Sequence, residues 1–322
     1  MSGHACNVEN MTHETSNPVC SDLTIAIPTF GRHEILVSTL QKLLQLSDHA
    51  ACLMIIDQNE EHDPETDASL TELESQGQIQ WIRQKPASIT QAMNRALLEA
   101  STRLVLFLDD DIIPFPGLIA AHAECHRESP RLWATVGQVI QPWQSPTDVV
   151  PPRKLTGLRL DFDFPFHSNI ESRVFNAMAG NLCVNRERAL SIGGFDNNFI
   201  GSAYRFETDF ARRIGQAGGA IHFCAQARID HLRIPSGGTR TEGNHLASAN
   251  PRHGIGDYYY AFQHGGRLEK WVYSIHRLFR EVSTKFHLTH PWWIPVKFVG
   301  ELRAFLGGYK MARAAKQAKR TA

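Results

Sequence analysis

Apolar residues dominate Leu23-Thr24-Ile25-Ala26-Ile27, which Pro28 closes, and fill Leu53-Met54-Ile55-Ile56 and Leu104-Val105-Leu106-Phe107-Leu108. Short apolar runs bounded by turn residues predict strands buried on both faces. Ile79-Gln80-Trp81-Ile82 predicts a further strand, while Ile35 to Leu46 and Ile89 to Ala100 repeat apolar residues at helical spacing, the second behind Ser88 as a cap. The acidic stretch from Glu60 to Asp67 reads as a loop. Strand and helix alternate as in βαβ units, so the chain is expected to be α/β, a mixed but mostly parallel sheet flanked by helices. Ligands of such sheets gather beyond the carboxyl ends of the strands. Asp57, after the second strand, and Asp109, Asp110 and Asp111, after the fourth, are therefore expected on one crevice.

Further along, Phe206, Phe210 and Ile214 repeat every four residues and predict a helix over Arg205 to Gly215. Glu207 and Asp209 lie near its start and, two positions apart, point about 200° apart, so they are not expected to share one role. Ala220 to Cys224 predicts a strand, linked through Arg228-Ile229-Asp230 to His231. Gln141 to Phe175 breaks the rhythm with prolines and with Trp143, Phe162, Phe164 and Phe166; these aromatics suit either stacking on a ligand or a cover for the sheet. Past Ala247, helices are predicted around Tyr258-Tyr259-Tyr260, from Trp271 to Phe286 and from Pro295 to Lys319. The expected organisation is a loose tail over 1–21, an α/β domain over 22–246 and a basic helical extension over 247–322.

Composition narrows the partners. The chain has 322 residues, and its 33 basic residues balance its 33 acidic ones, which offers no electrostatic argument for nucleic acid. Six cysteines without CxxC spacing fit a reducing cytosol. The polar start lacks the apolar segment of a secretory signal, and no run reaches the ~18 apolar residues of a spanning helix. The expected location is cytoplasmic. Trp292 and Trp293 stand beside Ile294, Val296 and Lys297, a mixture favoured at the water–lipid boundary, so the C-terminal helices are expected to lie against the cytoplasmic membrane face or to cap the protein.

Three adjacent carboxylates at a strand end raise one another's pKa unless a counter-charge is near. A hard divalent cation removes that repulsion and completes its shell with phosphate oxygens. The competing reading of the triplet is a solvated acidic turn.

The ordered set Ile27-Pro28-Thr29-Phe30-Gly31-Arg32, Ile55-Ile56-Asp57, Ala92-Met93-Asn94-Arg95-Ala96, Phe107-Leu108-Asp109-Asp110-Asp111, Gly193-Gly194-Phe195-Asp196, Arg205 to Phe210 and His231 to Arg240 resembles the family 2 glycosyltransferases. The resemblance covers roughly Leu23 to Arg240 and implies the GT-A fold, Rossmann-like, with the helical extension appended. It implies a metal-dependent, inverting transfer of a sugar from a nucleotide-sugar donor to a hydroxyl acceptor, saccharide or lipid-linked, as in polysaccharide or glycolipid synthesis by a hexosyltransferase. By the same likeness Asp111 and His231 hold Mn²⁺ or Mg²⁺, and Asp109 or Asp110 takes the ribose. Asp57 reads the nucleobase, and Pro28, Thr29, Phe30, Arg32, Asn94 and Arg240 complete the donor site. Glu207 is the catalytic base with Asp209 in reserve, although Phe206 stands where relatives carry the leading Glu of their acidic motif. Gly237-Gly238-Thr239-Arg240 looks like a lid. A sugar-phosphate nucleotidyltransferase is the second enzymatic reading, although Ile27 to Arg32 is not its Gly-rich phosphate loop; a catalytically silent sugar-binding protein is the third.

Overall fold

The computed structural model describes residues 19–148, 156–238 and 244–321. Strands β1 (Val19–Thr29), β2 (His49–Asp57), β3 (Gln80–Arg83) and β4 (Leu104–Leu108) pair in parallel in the order β3-β2-β1-β4. Every side chain of β4 is buried, as its unbroken apolar run requires. Helices α1 (Glu34–Leu44), α2 (Pro64–Ser75) and α3 (Ile89–Glu99) make the connections. Ser88 caps α3, its hydroxyl accepting from the Gln91 N–H.

Helix α2 occupies part of the stretch expected to be a loop. Asp63 caps it by accepting from the Thr66 N–H at 2.9 Å, and Pro64 takes the first turn. Only Thr66 and Leu70 of this helix are buried, so its apolar stripe is too thin to register as periodicity.

The second half of the sheet is mixed. Strands β5 (Ile112–Pro114), β6 (Leu132–Ile140), β7 (Ser172–Val174), β8 (Asn181–Asn185) and β9 (Ala220–His231) continue it to nine strands. Here β6 and β9 are parallel, while β4–β8, β6–β8, β5–β9 and β7–β9 are antiparallel. Strand β9 runs on to His231, past the end expected at Cys224, through a register shift opposite Gly137 and Gln138. Helices α4 (Leu118–Glu128), α5 (Arg186–Ser191) and α6 (Phe206–Gln216) pack around this half.

The extension forms α7 (Ile255–His264), α8 (Glu269–Val282), α9 (Lys285–Thr289) and α10 (Ile294–Thr321). Tyr258, Tyr259 and Tyr260 are fully buried and join the same apolar cluster as the sheet. The Tyr259 hydroxyl donates to Asp196 at 2.6 Å, and that of Tyr260 to the Leu158 carbonyl at 2.9 Å. Asp257, without solvent exposure, accepts from the Tyr273 hydroxyl at 2.7 Å and pairs with Arg205 at 3.2 Å and with Arg277. Arg277 and Lys297 also reach Glu301, the latter at 2.8 Å. The small residues Gly300, Ala304, Gly308 and Ala312 let α10 approach closely; a Cβ on Gly308 would meet Tyr258 Cβ at 2.7 Å. Among the described residues no helix is long and apolar enough to cross a membrane.

Burial by itself would raise the Asp257 pKa, but the Arg277 and Arg205 guanidiniums outweigh it and hold it below the ordinary aspartate range. A depressed carboxylate contributes stability above its unfolded pKa and loses it as pH falls through the folded one. Asp257→Asn should therefore reduce stability to denaturant by about 3–5 kcal/mol at neutral pH, since it removes the buried charge shared by the Arg205 and Arg277 guanidiniums. The deficit relative to wild type should shrink on acidification below about pH 4.

Candidate active site

The carboxyl ends of β1, β2 and β4 converge as expected, and Asp109, Asp110 and Asp111 lead out of β4. The chain bends at Asp110 and Asp111, so the three carboxylates do not share one orientation: Asp109 and Asp111 both approach His231 Nε2, while Asp110 turns to Thr29. Asp110 is buried inward, accepting from the Thr29 hydroxyl at 2.7 Å, with Arg32 Nε at 4.0 Å. Burial dominates these partners and pushes its carboxyl up to about 7. Asp110 is thus a buried partner of β1.

Asp111 meets Arg32 Nη1 at 2.8 Å, the Ile234 N–H at 2.9 Å and His231 Nε2 at 3.2 Å. Burial opposes ionisation, yet His231 and Arg32 override it and hold the carboxyl at about 2. The pairing of β5 with β9 sets His231 opposite Ile112, which brings imidazole and carboxylate together across 120 positions of sequence. Asp109, about half exposed, has an oxygen 3.7 Å from the same Nε2.

Ligand atoms of Asp109, Asp111 and His231 lie within 4.8 Å of one another, the one such grouping among the described residues. The donor set suits a divalent ion. Two hard carboxylate oxygens and one borderline imidazole match Mn²⁺ well and Mg²⁺ acceptably. His231 Nδ1 donates to Gln141 Oε1 at 3.0 Å, which aims Nε2 at the two carboxylates, where an ion can replace a proton. Gly180 makes room for this cluster: a Cβ there would lie 2.2 Å from Asp109 Oδ2.

Next to Gly180, the Ala179 N–H donates to Glu207 Oε1 at 2.7 Å. The Glu207 carboxyl, at the start of α6, thus contacts the residue next in the chain to the one that abuts Asp109. Burial, with the negative charge of Asp109 added, pushes it up to about 7 despite the Ala179 N–H. Asp209 has a different task. Its two oxygens accept from Arg213 Nε at 2.8 Å and His264 Nε2 at 2.7 Å, which ties α6 to α7 and, against the opposing effect of burial, keeps its pKa low. Phe206 fills the place of the missing acid with an aromatic group, 6.0 Å from the Phe195 ring, which itself stacks on Phe210 at 4.2 Å.

Three other expected donor contacts are engaged internally. Asp57 is fully buried, and each oxygen accepts twice: one from the Asn59 N–H and side-chain amide, the other from His62 Nε2 at 2.8 Å and Trp81 Nε1 at 2.9 Å. No acceptor capacity is left for a nucleobase, so Asp57 shapes the crevice by bracing its rim. Asn94 donates to the Phe195 carbonyl and accepts its N–H, both at 2.7 Å, which pins the Gly193–Asn197 turn. Arg32 is buried and serves as the counter-charge of Asp110 and Asp111.

Pro28 and Phe30 are partly exposed on the rim. The Phe30 carbonyl accepts the Gly238 N–H at 2.6 Å, and Gly237 packs against Gly31 and Arg32. Gly237 and Gly238, both at positive φ, so rest on the turn after β1. Thr239 and Arg240 lie outside the described residues. Gln141, Gln58 and Asn59 escaped the sequence reading, because amides after strands carry no periodic or motif signal. Gln58 accepts the Ser88 N–H at 2.6 Å, and Asn59 accepts that of Gly31 at the same distance.

Phe164 and Phe166 cover the sheet against Phe223, and Phe162 lies under the Arg205 guanidinium at 3.6 Å, so these aromatics are packing groups. Beside them opens a cavity of about 300 Å³ lined by Gln141, Gln144, Asp163, His167 and Met178. It borders both the His231 partner and the Ala179 turn. Another, of about 240 Å³ between His49 and Gln80, lies at the amino ends of the strands, away from these groups.

The family described as "Glycosyltransferase like family 2" matches residues 21–250. No curated protein matches the chain. The crystal structure of GalNAc-T7 with UDP, GalNAc and Mn²⁺ superposes with a TM-score of 0.53 at 13% identity, over 75% of this chain and 51% of that one. The chain thus spans about half the length of that relative. A mannosyltransferase from Pyrobaculum calidifontis, in complex with GDP-Man and Mn²⁺, gives 0.49 at 13% identity, over 93% of this chain and 79% of that one. The fold is that of the GT-A glycosyltransferases. With the family match running from β1 past His231, and so over every described residue of the site, the chain belongs to the family 2-like glycosyltransferases.

Proposed function

We propose that this enzyme moves a sugar from a nucleotide-sugar donor to a hydroxyl acceptor with inversion at the anomeric carbon, in polysaccharide or glycolipid synthesis. The observation that carries the reading is the placement of Glu207 beside Gly180, whose backbone abuts Asp109 of the Asp109–Asp111–His231 cluster. Those three residues would hold Mn²⁺ or Mg²⁺, which supplies positive charge to the departing diphosphate when bound. Glu207 accepts the proton of the acceptor hydroxyl as that oxygen bonds to the anomeric carbon and the bond to the diphosphate breaks. A base raised toward 7 matches this task, since general-base catalysis is most effective when the pKa approaches the working pH. Ala179 orients the carboxylate, and the cavity beside Gln141 and Met178 suits the acceptor. Arg32 and Thr29 position Asp110 and Asp111.

Glu207→Gln should lower kcat on the order of 10² or more while leaving donor affinity measured by calorimetry unchanged. Full turnover in this variant would remove the base assignment. In the wild type the acid limb of the kcat profile should lie well above the ordinary glutamate range, toward 7, because burial raises this group and protonation disables it.

Asp111→Ala should abolish calorimetric Mn²⁺ binding, since it removes a ligand and strands Arg32. In Gly180→Ala the new methyl would displace Asp109, and Mn²⁺ affinity should fall roughly 10- to 100-fold, the range typical of disturbed ligand support. Unchanged binding in both would exclude this cluster as the metal centre.

A further inference from the structure

Helices α8 and α10 are amphipathic in the reverse of the usual sense. The inward face of α8 carries Tyr273, Ser274 and Arg277, while Leu268, Val272, Ile275 and Phe279, at successive spacings of four, three and four residues, are 73%, 59%, 53% and 60% exposed. Helix α10 turns Lys297, Glu301 and its small residues inward and leaves Phe298, Val299, Leu302, Leu306 and Tyr309 outward. Trp271 of α8 lies 5.9 Å from Tyr309 of α10, ring to ring, so the two apolar faces adjoin. The inward ion network about Asp257 and Glu301 holds this orientation. A continuous exposed apolar face of this kind marks an interaction surface.

Charge identifies the occupant. Beyond His264 the chain has twelve lysines and arginines but three acids, Glu269, Glu281 and Glu301. None of the three is exposed: Glu269 accepts the Leu158 N–H, Glu281 pairs with Arg280, and Glu301 is buried with Lys297. Among the described residues the exposed lysines and arginines of the region are Arg267, Arg280, Lys285, Arg303, Lys310, Arg313 and Lys316, and no acid is exposed there. Against a second copy these would face like charges across a two-fold axis. Against an anionic bilayer they complement the headgroups while the apolar stripes enter the interface.

We propose that the joined outward faces of α8 and α10 dock this enzyme on the surface of an anionic lipid bilayer, with the stripe from Leu268 to Phe279 and Leu302 and Leu306 entering the headgroup region. The docking is independent of the transfer reading, because binding to vesicles requires no donor, metal or turnover.

The test is co-sedimentation of the full chain with vesicles of phosphatidylcholine alone and of phosphatidylcholine with about one-third phosphatidylglycerol. Wild type should sediment with the anionic vesicles and roughly tenfold or more weaker with the neutral ones. Val272→Ser/Phe279→Ser should reduce anionic-vesicle binding roughly tenfold or more, and Lys310→Glu/Arg313→Glu should abolish the anionic preference. All four side chains are exposed, and the two variants test the apolar and cationic parts separately. Absence of wild-type binding to either vesicle would overturn the proposal, as would full binding by both variants. A wild-type dimer in sedimentation equilibrium that Val272→Ser/Phe279→Ser dissolves would assign the face to a second copy instead.

Discussion

Three carboxylates emerge together from a strand that is buried along its whole length, and their mutual repulsion has to be answered within a few ångströms. The chain answers it by splitting the triplet. Asp110 turns into the protein, where burial favours its neutral form and the Thr29 hydroxyl supports it. Asp111 stays ionised through Arg32, His231 and a backbone N–H. Asp109 keeps to the solvent side, where Gly180 leaves room for it. Bends at Asp110 and Asp111, with none of the three residues at positive φ, make this division available.

Much of the remaining site supports this arrangement without touching a substrate. Asp57, Asn59, His62 and Trp81 form a saturated knot at the end of β2, and Asn94 fastens the turn that precedes α6. Asp209 ties α6 to α7 through His264. Glu207 is therefore placed by a helix held at both its approach and its flank. Its raised pKa follows from that burial: a fixed carboxyl without a cationic partner in contact is easier to protonate, which is what a proton acceptor near neutrality requires.

The C-terminal helices show how a buried polar network can decide what faces outward. With Asp257, Glu301, Arg205, Arg277 and Lys297 gathered inside, the apolar sides of α8 and α10 have nowhere to go but the surface. The tyrosines of α7 enter the same core as the sheet, so these helices are continuous with the domain they flank.

The α/β alternation, the strand runs and most helices were legible in the sequence because apolar spacing follows directly from backbone geometry. Helix α2 was not: its buried stripe is two residues wide, and its start signal at Asp63 and Pro64 was read as part of a loop. The order of motifs carried the family. What sequence determined about the site was which residue types stand at the strand ends; it could not determine which of them turn toward one another. Asp57, Asn94 and Asp209 match donor or catalytic positions, yet their hydrogen bonds are spent on neighbours brought close only by folding. His231 reaches Asp111 because β9 pairs with β5, and the direction of the α8 and α10 faces rests on ion pairs between separate helices. Local periodicity arises from the chain itself, whereas partner choice arises from contacts between segments far apart in sequence, and those exist only once the sheet has assembled.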